Sequence, residues 1–387
     1  MATATDPKVT RHASVLDAVR ALAPKITARA AEIEKARRLP RDLIRDLTAA
    51  GCFRMLVPRS HGGGGFDLPS AMSVIEELSR ADASVAWTTV NLAGGWINVG
   101  SIPRATFDAL YANGPDVILG GVFAPSGTAV PVDGGYRVTG RWAFASGCED
   151  CQWLFGNCME DHEVAPRLRT VLFSPDQTEI EDTWSVSGLC GTGSHHFVAH
   201  DVFVAADRTC LPFSDPPCLD EPLLRMPMPP VFAFGVASVA IGIAEGALED
   251  ILALSRSKVP LLAHTALATN PLFQNQLGAA DAQLRAARGL LYADAAAAWG
   301  TAVAGAEFTP EHRARMRAAT TLAATTAASV VDMAYHAGGG SAIYAGSPLQ
   351  RRFRDVHAIT QHFLVKRDVF TTAGAVLAGV EADLTVF

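Results

Sequence analysis

Histidine is the residue type best suited to proton transfer near neutral pH, and two histidines lie close together late in this chain, His357 and His362. If the segment is helical, its period places His362 on one stripe with Ile359 and Asp355, and His357 on another with Gln361. The two histidines therefore need not serve one site. The pattern suggests a general base or acid, although a lone histidine on a helix is more often structural.

Other sequence patterns that could form a catalytic or metal site lack the partner residues that such a site needs. His61-Gly62-Gly63-Gly64 resembles the oxyanion loop of lipases, but no Gly-x-Ser-x-Gly elbow accompanies it, so we expect a flexible surface or cavity-mouth loop. His195 and His196 are adjacent at a predicted strand start, where neighbouring side chains face opposite sides. Cys148 and Cys151 form the C-x-x-C motif, and a structural zinc site would need a second pair. No metal site is predicted.

Composition narrows the class of protein further. Acidic residues outnumber basic ones by 39 to 32, for a net charge of -7, which argues against a nucleic-acid partner. Neither a Gly-x-Gly-x-x-Gly after a strand nor a P-loop is present, so no nicotinamide or nucleoside-triphosphate site is predicted. Apolar runs fall short of the roughly 18 to 20 residues of a membrane helix. We therefore expect a soluble cytoplasmic protein.

The elements that must position these residues change character twice along the chain. Apolar residues recur at helical spacing up to about residue 111, and Pro40 suits the first turn of a helix. Alternation then predicts antiparallel strands, followed by a Pro-rich linker and Ala/Gly-rich helices typical of a four-helix bundle. The predicted strands are Tyr136–Phe144, Trp153–Asn157, Thr170–Phe173, Thr183–Ser187 and His196–Val204. The chain is thus an α+β protein with an N-terminal helical domain (1–115), a central antiparallel β-domain (116–225) and a C-terminal bundle (226–387).

Three ordered segments of the sequence resemble motifs of the acyl-CoA dehydrogenase superfamily. Leu39–Gly63 is similar to its N-terminal helix pair and glycine loop, and Gly135–Cys148 is similar to its flavin-binding strand. Gly338–Gly340 followed by Arg351–Asp355 resembles its "G-G-x-G-Y … R-x-x-R-D" segment. Each motif alone is weak, but together they cover nearly the whole chain in the same order, which implies the acyl-CoA dehydrogenase fold.

The chain departs from the dehydrogenases directly after Asp355. Short- and medium-chain enzymes carry an "E-G-T" there, whose glutamate abstracts the substrate α-proton, whereas this sequence reads His357-Ala-Ile-Thr-Gln361-His362-Phe363. Without that base, α,β-dehydrogenation has no obvious first step. The pattern instead resembles the oxygenase components of group D two-component flavin-dependent monooxygenases. These include p-hydroxyphenylacetate hydroxylase, dibenzothiophene monooxygenase, indole-oxidising enzymes and amino-sugar N-oxygenases.

That resemblance implies a reduced-flavin-dependent hydroxylase of secondary metabolism. Such enzymes take FMNH2 or FADH2 from a separate NAD(P)H:flavin reductase, let it react with O2 and protect a C4a-(hydro)peroxide until an aromatic or heteroaromatic substrate arrives. Phenols, indoles and polycyclic natural products are the expected substrates. A homotetramer is implied, because this fold completes its flavin site across subunits.

The resemblance also implies which residues of this chain form the site. Ser146, the catalytic candidate near flavin N5, and His362, the candidate base or acid, are the principal ones. Asn91 stands where many relatives hold a histidine, and the neighbouring Gly94, Gly95 and Trp96 suggest room beside an aromatic wall. The cofactor-binding candidates are Trp142, Phe144, Ser146, Gly147, Thr192, Gly193, Ser194, Arg256, Lys258, Phe273, His357 and Gln361.

Plainer structural roles compete with several of these assignments. Ser146 could be a strand-end turn residue, Phe273 could be core, and Arg256 with Lys258 could be an ordinary charged helix end. Two other functions remain open: acyl-CoA oxidation with a base relocated to Glu245 or Glu249, and a helical scaffold without catalysis. N-hydroxylation of an amino sugar is a further variant of the oxygenase reading.

Overall fold

The N-terminal part of the molecule is helical, as the apolar spacing predicts. The computed structural model describes residues 7–160, 165–384 and 387, so positions 1–6, 161–164 and 385–386 of the three predicted domains lie outside the described residues. The N-terminal helices are α1 (Pro7–Ala28), α2 (Ala30–Ala36), α3 (Arg41–Ala49), α4 (Leu68–Ala81), α5 (Ala83–Gly94) and α6 (Arg104–Leu110).

A single buried carboxylate sets the junction between α4 and α5. Asp82 ends α4, and its Oδ1 accepts hydrogen bonds from the backbone N–H groups of Ser84 and Val85 at 2.9 and 3.2 Å. These are two of the donors that the first turn of a helix leaves without intrahelical partners. The cap therefore lets α5 start directly after α4 and run into the protein interior, where most of its side chains are buried.

The middle of the chain forms one seven-stranded sheet in the order β5-β6-β2-β1-β3-β4-β7. Its strands are β1 (Leu119–Val132), β2 (Gly135–Ala145), β3 (Trp153–Glu160), β4 (Arg167–Phe173), β5 (Glu179–Glu181), β6 (His195–Ala205) and β7 (Thr209–Cys210). The prediction of a purely antiparallel unit is wrong at one pair, because β1 and β3 are parallel. Strand β2 runs antiparallel to β1. Strand β3 reverses direction once more and pairs with the other edge of β1, so β3 and β1 run in the same direction.

The predicted strand at Thr183–Ser187 is also wrong. Strand β5 ends at Glu181, and the chain beyond it is an irregular loop. The backbone N–H groups of Thr183 and Trp184 donate to the His195 Nδ1 at 3.1 and 3.2 Å instead of to a neighbouring strand. The backbone N–H groups thus bond to a side-chain acceptor instead of to a neighbouring strand. The alternation of apolar and polar residues in the sequence does not distinguish these two arrangements.

Helices make up most of the chain after residue 221. They are α7 (Pro222–Arg225), α8 (Met228–Ser255), α9 (Pro271–Val303), α10 (Pro310–Gly338), α11 (Pro348–Thr360) and α12 (Val369–Leu377). Among the described residues, α8 is the one helix apolar and long enough to cross a membrane, and 89% of its most apolar window is buried inside the molecule. It packs against α4 and α10 as a core helix. Gly242 permits this, since a Cβ there would lie 2.5 Å from the Glu76 carbonyl oxygen of α4.

The element bounds bear on the expected domain intervals. Helix α6 ends at Leu110 and β1 begins at Leu119, while β7 ends at Cys210 and α8 begins at Met228. The change from helix to sheet thus falls between residues 110 and 119, and the change back to helix falls between residues 210 and 222, where α7 begins. The division into separate domains at residues 115 and 225 stays a prediction.

Candidate active site

A cavity of about 470 Å³ lies where α5, β1, the end of β2, the 184–194 loop, the start of α8 and the end of α11 meet. Its walls are mainly apolar and aromatic. The lining residues that matter below are Trp87, Val90, Asn91, Phe123, Phe144, Ser146, Trp184, Leu189, Ser194, Met228, Phe232, Gln361, His362, Phe363 and Leu364. A mostly apolar cavity with few convergent polar groups is typical of a small-molecule site.

A directed chain of hydroxyl groups runs along one wall of this cavity. The Thr192 hydroxyl donates to the Leu189 carbonyl oxygen at 2.9 Å, so in its 2.7 Å contact with Ser194 the serine must donate. The hydrogen of Ser194 is then used, and in the 2.8 Å contact between Ser146 and Ser194 the donor must be Ser146. Trp87 donates from Nε1 to the Ser146 Oγ at 3.0 Å.

The directed chain of hydroxyl groups determines which hydrogen bonds Ser146 can still make to a ligand. A hydroxyl has one hydrogen and two acceptor lone pairs. Its hydrogen goes to Ser194 and one lone pair accepts from Trp87, so one lone pair is left. Ser146 is therefore an oriented hydrogen-bond acceptor, 8% exposed at the cavity wall.

Glycine residues hold the two loops of the hydroxyl chain together. The Gly147 N–H donates to the Thr192 carbonyl oxygen at 2.9 Å. Gly147 has a φ of 67°, and a Cβ there would lie 2.9 Å from side-chain atoms of Leu92 and Thr88. Gly147 therefore brings the loop close to α5. Together with Thr192 and Gly193, it supports the wall from behind and does not line the cavity itself.

Phe144 is placed unusually for a large apolar residue. Its side chain is 69% exposed, it lines the cavity, and its backbone has a φ of 69°, in the left-handed region. Such a conformation costs on the order of 1 kcal/mol for a bulky residue and concentrates at ligand-binding positions. An exposed aromatic face beside Trp184, at 6.1 Å between ring centroids, is suited to a planar ring system.

His362 lines the cavity, but the expected helical stripe with Ile359 and Asp355 is wrong. Helix α11 ends at Thr360, and His362 lies in the turn that follows. Its imidazole packs edge-on against Trp87 with 5.4 Å between ring centroids, and its Nδ1 accepts from the Leu364 N–H at 3.3 Å. Because a backbone N–H can only donate, Nδ1 carries no hydrogen in this arrangement.

The surroundings of His362 keep it neutral. Burial, together with the Arg317 guanidinium, lowers the pKa of His362 to about 4. Since Nδ1 accepts from the backbone, the single hydrogen of the neutral ring lies on Nε2. The ring is thus a neutral hydrogen-bond donor and, near pH 7, a poor base.

Asp355 is directed toward the loop at Leu189 and does not share a site with His362. Its Oδ1 accepts from the Leu189 N–H at 2.6 Å, and the side chain is 5% exposed. Burial beside the Asp82 carboxylate raises the pKa of Asp355 to about 7. Asp355 therefore anchors the loop that carries Ser194, a role that no local sequence pattern indicates.

Several predicted site residues lie outside the cavity in this chain. Trp142 is wrong as a cofactor contact: it is fully buried, stacks on Phe197 at 4.8 Å and donates to the Asn157 carbonyl oxygen at 2.8 Å, so it is core of the sheet. His357 pairs with Asp332 at 2.8 Å on the side facing α10. Asn91 and Gln361, by contrast, do line the cavity.

The positively charged candidates also lie elsewhere. Lys258 donates to the Gly338 carbonyl oxygen and to the Ser341 Oγ, so it caps the end of α10. Arg256 is exposed at the end of α8, and Phe273 is 3% exposed in the core. A role for Arg256 and Lys258 toward the flavin phosphate of a neighbouring subunit stays a prediction, as does packing of Phe273 against a flavin edge.

The remaining sequence candidates can be placed in the same way. Glu245 and Glu249 pair with Arg288 and Arg80, at 3.6 and 3.1 Å, and neither lines the cavity. The loop containing His61 is not at the cavity mouth, since this histidine packs against Phe107 and pairs with Asp108. Trp87 and Phe232, which sequence reasoning did not assign, are wall residues; the spacing of Trp87 and Asn91, one helical turn apart, was the available signal.

Comparison with known proteins places this geometry in a family. Residues 10–101 match the acyl-CoA dehydrogenase N-terminal domain, and residues 234–367 match the acyl-CoA dehydrogenase C-terminal domain. Indole-3-acetate monooxygenase of Acinetobacter baumannii is 33% identical over 356 residues, covering 91% of this chain and 90% of that protein. The oxygenase component of FADH2-dependent resorcinol hydroxylase from Rhizobium sp. is 31% identical, covering 98% of both. XiaF from Streptomyces sp., solved with FADH2 and glycerol, has a TM-score of 0.90 at 25% identity, covering 97% of each chain.

These similarities confirm the expectation drawn from the ordered motifs. The chain belongs to the acyl-CoA dehydrogenase superfamily and, within it, to the oxygenase components of flavin-dependent monooxygenases.

The described residues fit a reduced flavin. The ring system of a reduced flavin carries an N–H at N5, and Ser146 presents an acceptor with no hydrogen left to offer. Phe144 and Trp184 provide exposed aromatic surface, and the cavity of about 470 Å³ falls in the range of small-molecule sites. The bound cofactor supplies the oxygen-activating chemistry, and the chain supplies orientation, exclusion of water and hydrogen-bond donors.

Proposed function

We propose that this chain inserts one oxygen atom from O2 into an aromatic or heteroaromatic substrate held in the cavity, with reduced flavin supplied by a separate reductase. The observation that carries the proposal is the pairing of an oriented acceptor, Ser146, with a neutral donor, His362, in an otherwise apolar aromatic cavity. The cytoplasm, where such a reductase works, is the proposed location.

Each polar residue has a proposed part in the reaction. Ser146 accepts a hydrogen bond from the reduced cofactor and holds it in one orientation. His362 donates from Nε2 to an oxygen atom and stabilises negative charge that develops there. Asn91 already donates to the Trp87 carbonyl oxygen at 2.7 Å, which leaves an N–H and the Oδ1 to orient the substrate.

The apolar walls have a part as well. Phe123, Phe232 and Phe363 exclude water from the reacting atoms, which strengthens the remaining hydrogen bonds and suppresses loss of the activated oxygen as hydrogen peroxide. Their aromatic faces also favour a flat substrate. Indoles and phenols, which appear in the names of the relatives, are the first substrates to test.

The test combines purified chain, an NADH-dependent flavin reductase, FMN or FAD, 18O-labelled O2, and indole or resorcinol. We expect a product heavier by one 18O atom, formed only when reductase and flavin are both present. If every substrate in the panel is returned unchanged while NADH is consumed, the proposal is wrong. Anaerobic bleaching of bound FAD by an acyl-CoA would instead establish a dehydrogenase.

We also propose that the active protein is a homo-oligomer, with a tetramer as the expected form. The outward face of α9 carries a stripe of exposed small residues spaced three and four apart, namely Ala282, Ala286, Gly289, Ala293, Ala296 and Gly300. Leu261, Leu262 and Tyr344 are 93%, 92% and 72% exposed, which is unusual for a monomer. Small residues let two helices approach closely, so the stripe supports a helix–helix contact between subunits.

A further inference from the structure

We infer that the substrate is an uncharged aromatic molecule and that the cavity selects against aromatic carboxylates. The inference rests on the proposed function, since it concerns the substrate of the same cavity. Within the part of the chain that the structure describes, no Asp, Glu, Lys or Arg side chain lines the cavity. Its polar side chains are Asn91, Asn98, Gln361, His362 and the two serines, with the indoles of Trp87 and Trp184.

Neither basic group at this end of the cavity can neutralise a ligand carboxylate. Arg317 is 1% exposed, donates to the Leu364 carbonyl oxygen and lies behind the wall formed by His362 and Leu364. The Asp368 carboxylate is close enough to act on the Arg317 charge. His362 is neutral near pH 7, so it offers a hydrogen bond without a full positive charge.

The side-chain hydrogen-bond donors that remain free in the described part of the cavity all belong to uncharged groups, namely one N–H each of Asn91, Asn98 and Gln361 and the Nε2–H of His362. One N–H of Asn91 is used by the Trp87 carbonyl oxygen, and the hydrogen of Ser146 is used by Ser194. Hydrogen bonds from these neutral groups offset only part of the cost of burying a carboxylate, because charge-assisted hydrogen bonds are roughly twice as strong as neutral ones. A single ring N–H, hydroxyl or amide of a neutral substrate can be satisfied by Asn91 and His362 alone.

The size of the discrimination follows from the cost of leaving an ion without its partner. Sites that leave a buried polar group unpaired reject the ligand concerned by factors of 10⁴ or more, and burying an unpaired charge costs more than burying a neutral group. The lining residues Phe144 and Phe363 are 69% and 42% exposed, so one side of the cavity is open to solvent, which relieves part of this cost. We therefore expect a discrimination of about 100-fold in kcat/KM.

The experiment compares three indoles that differ at one position. Indole-3-acetate carries the charge, indole-3-acetamide has the same shape without it, and indole is the unsubstituted parent. The holoenzyme assay with reductase and flavin gives kcat/KM. Isothermal titration calorimetry gives Kd independently of turnover and of the fluorescence of the indole ligands themselves. We expect indole-3-acetamide to be used at least about 100-fold better than indole-3-acetate, with the difference in KM and Kd.

The outcomes separate this inference from the proposed function. Equal use of the acetate and the acetamide overturns the inference and leaves the proposed function standing. Tight binding of the acetamide but not the acetate, without product from either, supports the inference and counts against the proposed function. Binding of the acetate at least as tight as that of the acetamide overturns the inference even without turnover.

A variant provides a second, independent measurement. Val90 lines the cavity on α5 next to Asn91 and is only partly buried, so its side chain can be lengthened. In Val90→Lys we expect the acetate-to-acetamide ratio of Kd to shift by about tenfold toward the acetate. Val90→Met is the matched control for length without charge, and an equal shift in both variants would contradict the charge argument. If Val90→Lys does not fold, the comparison in the unmodified protein decides.

Discussion

Replacement of Asp355 by asparagine should change how the stability of this protein depends on pH. The carboxylate is buried beside Asp82, and its pKa is raised from 3.8 to about 7. An acid with a raised pKa in the folded state binds its proton more tightly there than in the unfolded chain. Its ionisation therefore lowers stability, beginning near pH 4 and levelling off above pH 7.

The magnitude follows from the shift. A difference of about three pH units corresponds to about 4 kcal/mol for full ionisation, at 1.36 kcal/mol per unit. Of this, about 2.5 kcal/mol is lost between pH 5 and pH 8. Asparagine cannot ionise, and its Oδ1 can still accept from the Leu189 N–H. Relative to the unmodified protein, Asp355→Asn should therefore gain about 2.5 kcal/mol between pH 5 and pH 8.

The assay is urea unfolding at several pH values with the protomer concentration held fixed, since an oligomer's stability depends on concentration. Asp201→Asn is the control, because Asp201 is exposed, pairs with Arg137 at the surface, and has a left-handed φ of 51° that asparagine tolerates. The difference between Asp355→Asn and the unmodified protein should grow with pH, whereas that for the control should stay flat. Parallel curves for all three proteins would refute the assignment of a raised pKa to Asp355.

Three further outcomes are expected. Ser146→Ala removes the acceptor of the Trp87 N–H and breaks the chain of hydroxyl groups. The yield of product per O2 consumed, measured by oxygen electrode and chromatography, should therefore fall about tenfold, while the affinity for flavin changes less. An equal loss of both would mean that Ser146 has a structural role. Because the pKa of His362 is lowered to about 4, the pH profile of kcat should show no ionisation of this group between pH 6 and pH 8. His362→Gln keeps a hydrogen-bond donor and should therefore retain more activity than His362→Ala. A step in kcat near pH 6.5 that is present in the unmodified protein and absent from both variants would contradict this prediction. Gly289→Arg should dissociate the oligomer in sedimentation velocity, since its Cβ meets nothing within 4 Å in the single chain; an unchanged mass would rule out the α9 contact.

How well the sequence predicted the site depended on how local each interaction is. Ser146, Phe144, Ser194, Asn91, Gln361 and His362 were expected in the site, and all line one cavity. They lie in or next to short motifs whose order along the chain carries information. Trp142 was misplaced because alternation puts residues two apart on one face of a strand, whereas the register shift between Trp142 and Ala145 and the left-handed backbone of Phe144 separate the two side chains.

The roles of the residues were harder to predict than their presence. His362 was expected to be a helical base, yet a backbone N–H occupies its Nδ1 and Arg317 lies nearby. Asp355 was expected on one helical stripe with His362, but it accepts from the Leu189 N–H, and the neighbouring Arg354 pairs with Glu34. Both outcomes depend on contacts between elements far apart in sequence, and a pKa follows from burial and neighbouring charges that only folding brings together.

The sequence by itself therefore determined the fold class and the family, because helical and strand periodicity and short ordered motifs are properties of neighbouring residues. It also determined the candidate atoms, a serine hydroxyl and an imidazole at the ends of two elements. Only the tertiary structure decided that these atoms share one cavity, that Ser146 accepts and His362 donates, and that no charged side chain from the described residues lines the wall. The physical reason is that hydrogen-bond direction, desolvation and the charge of a cavity arise from the sum of all its walls, and those walls come from parts of the chain that are far apart in sequence.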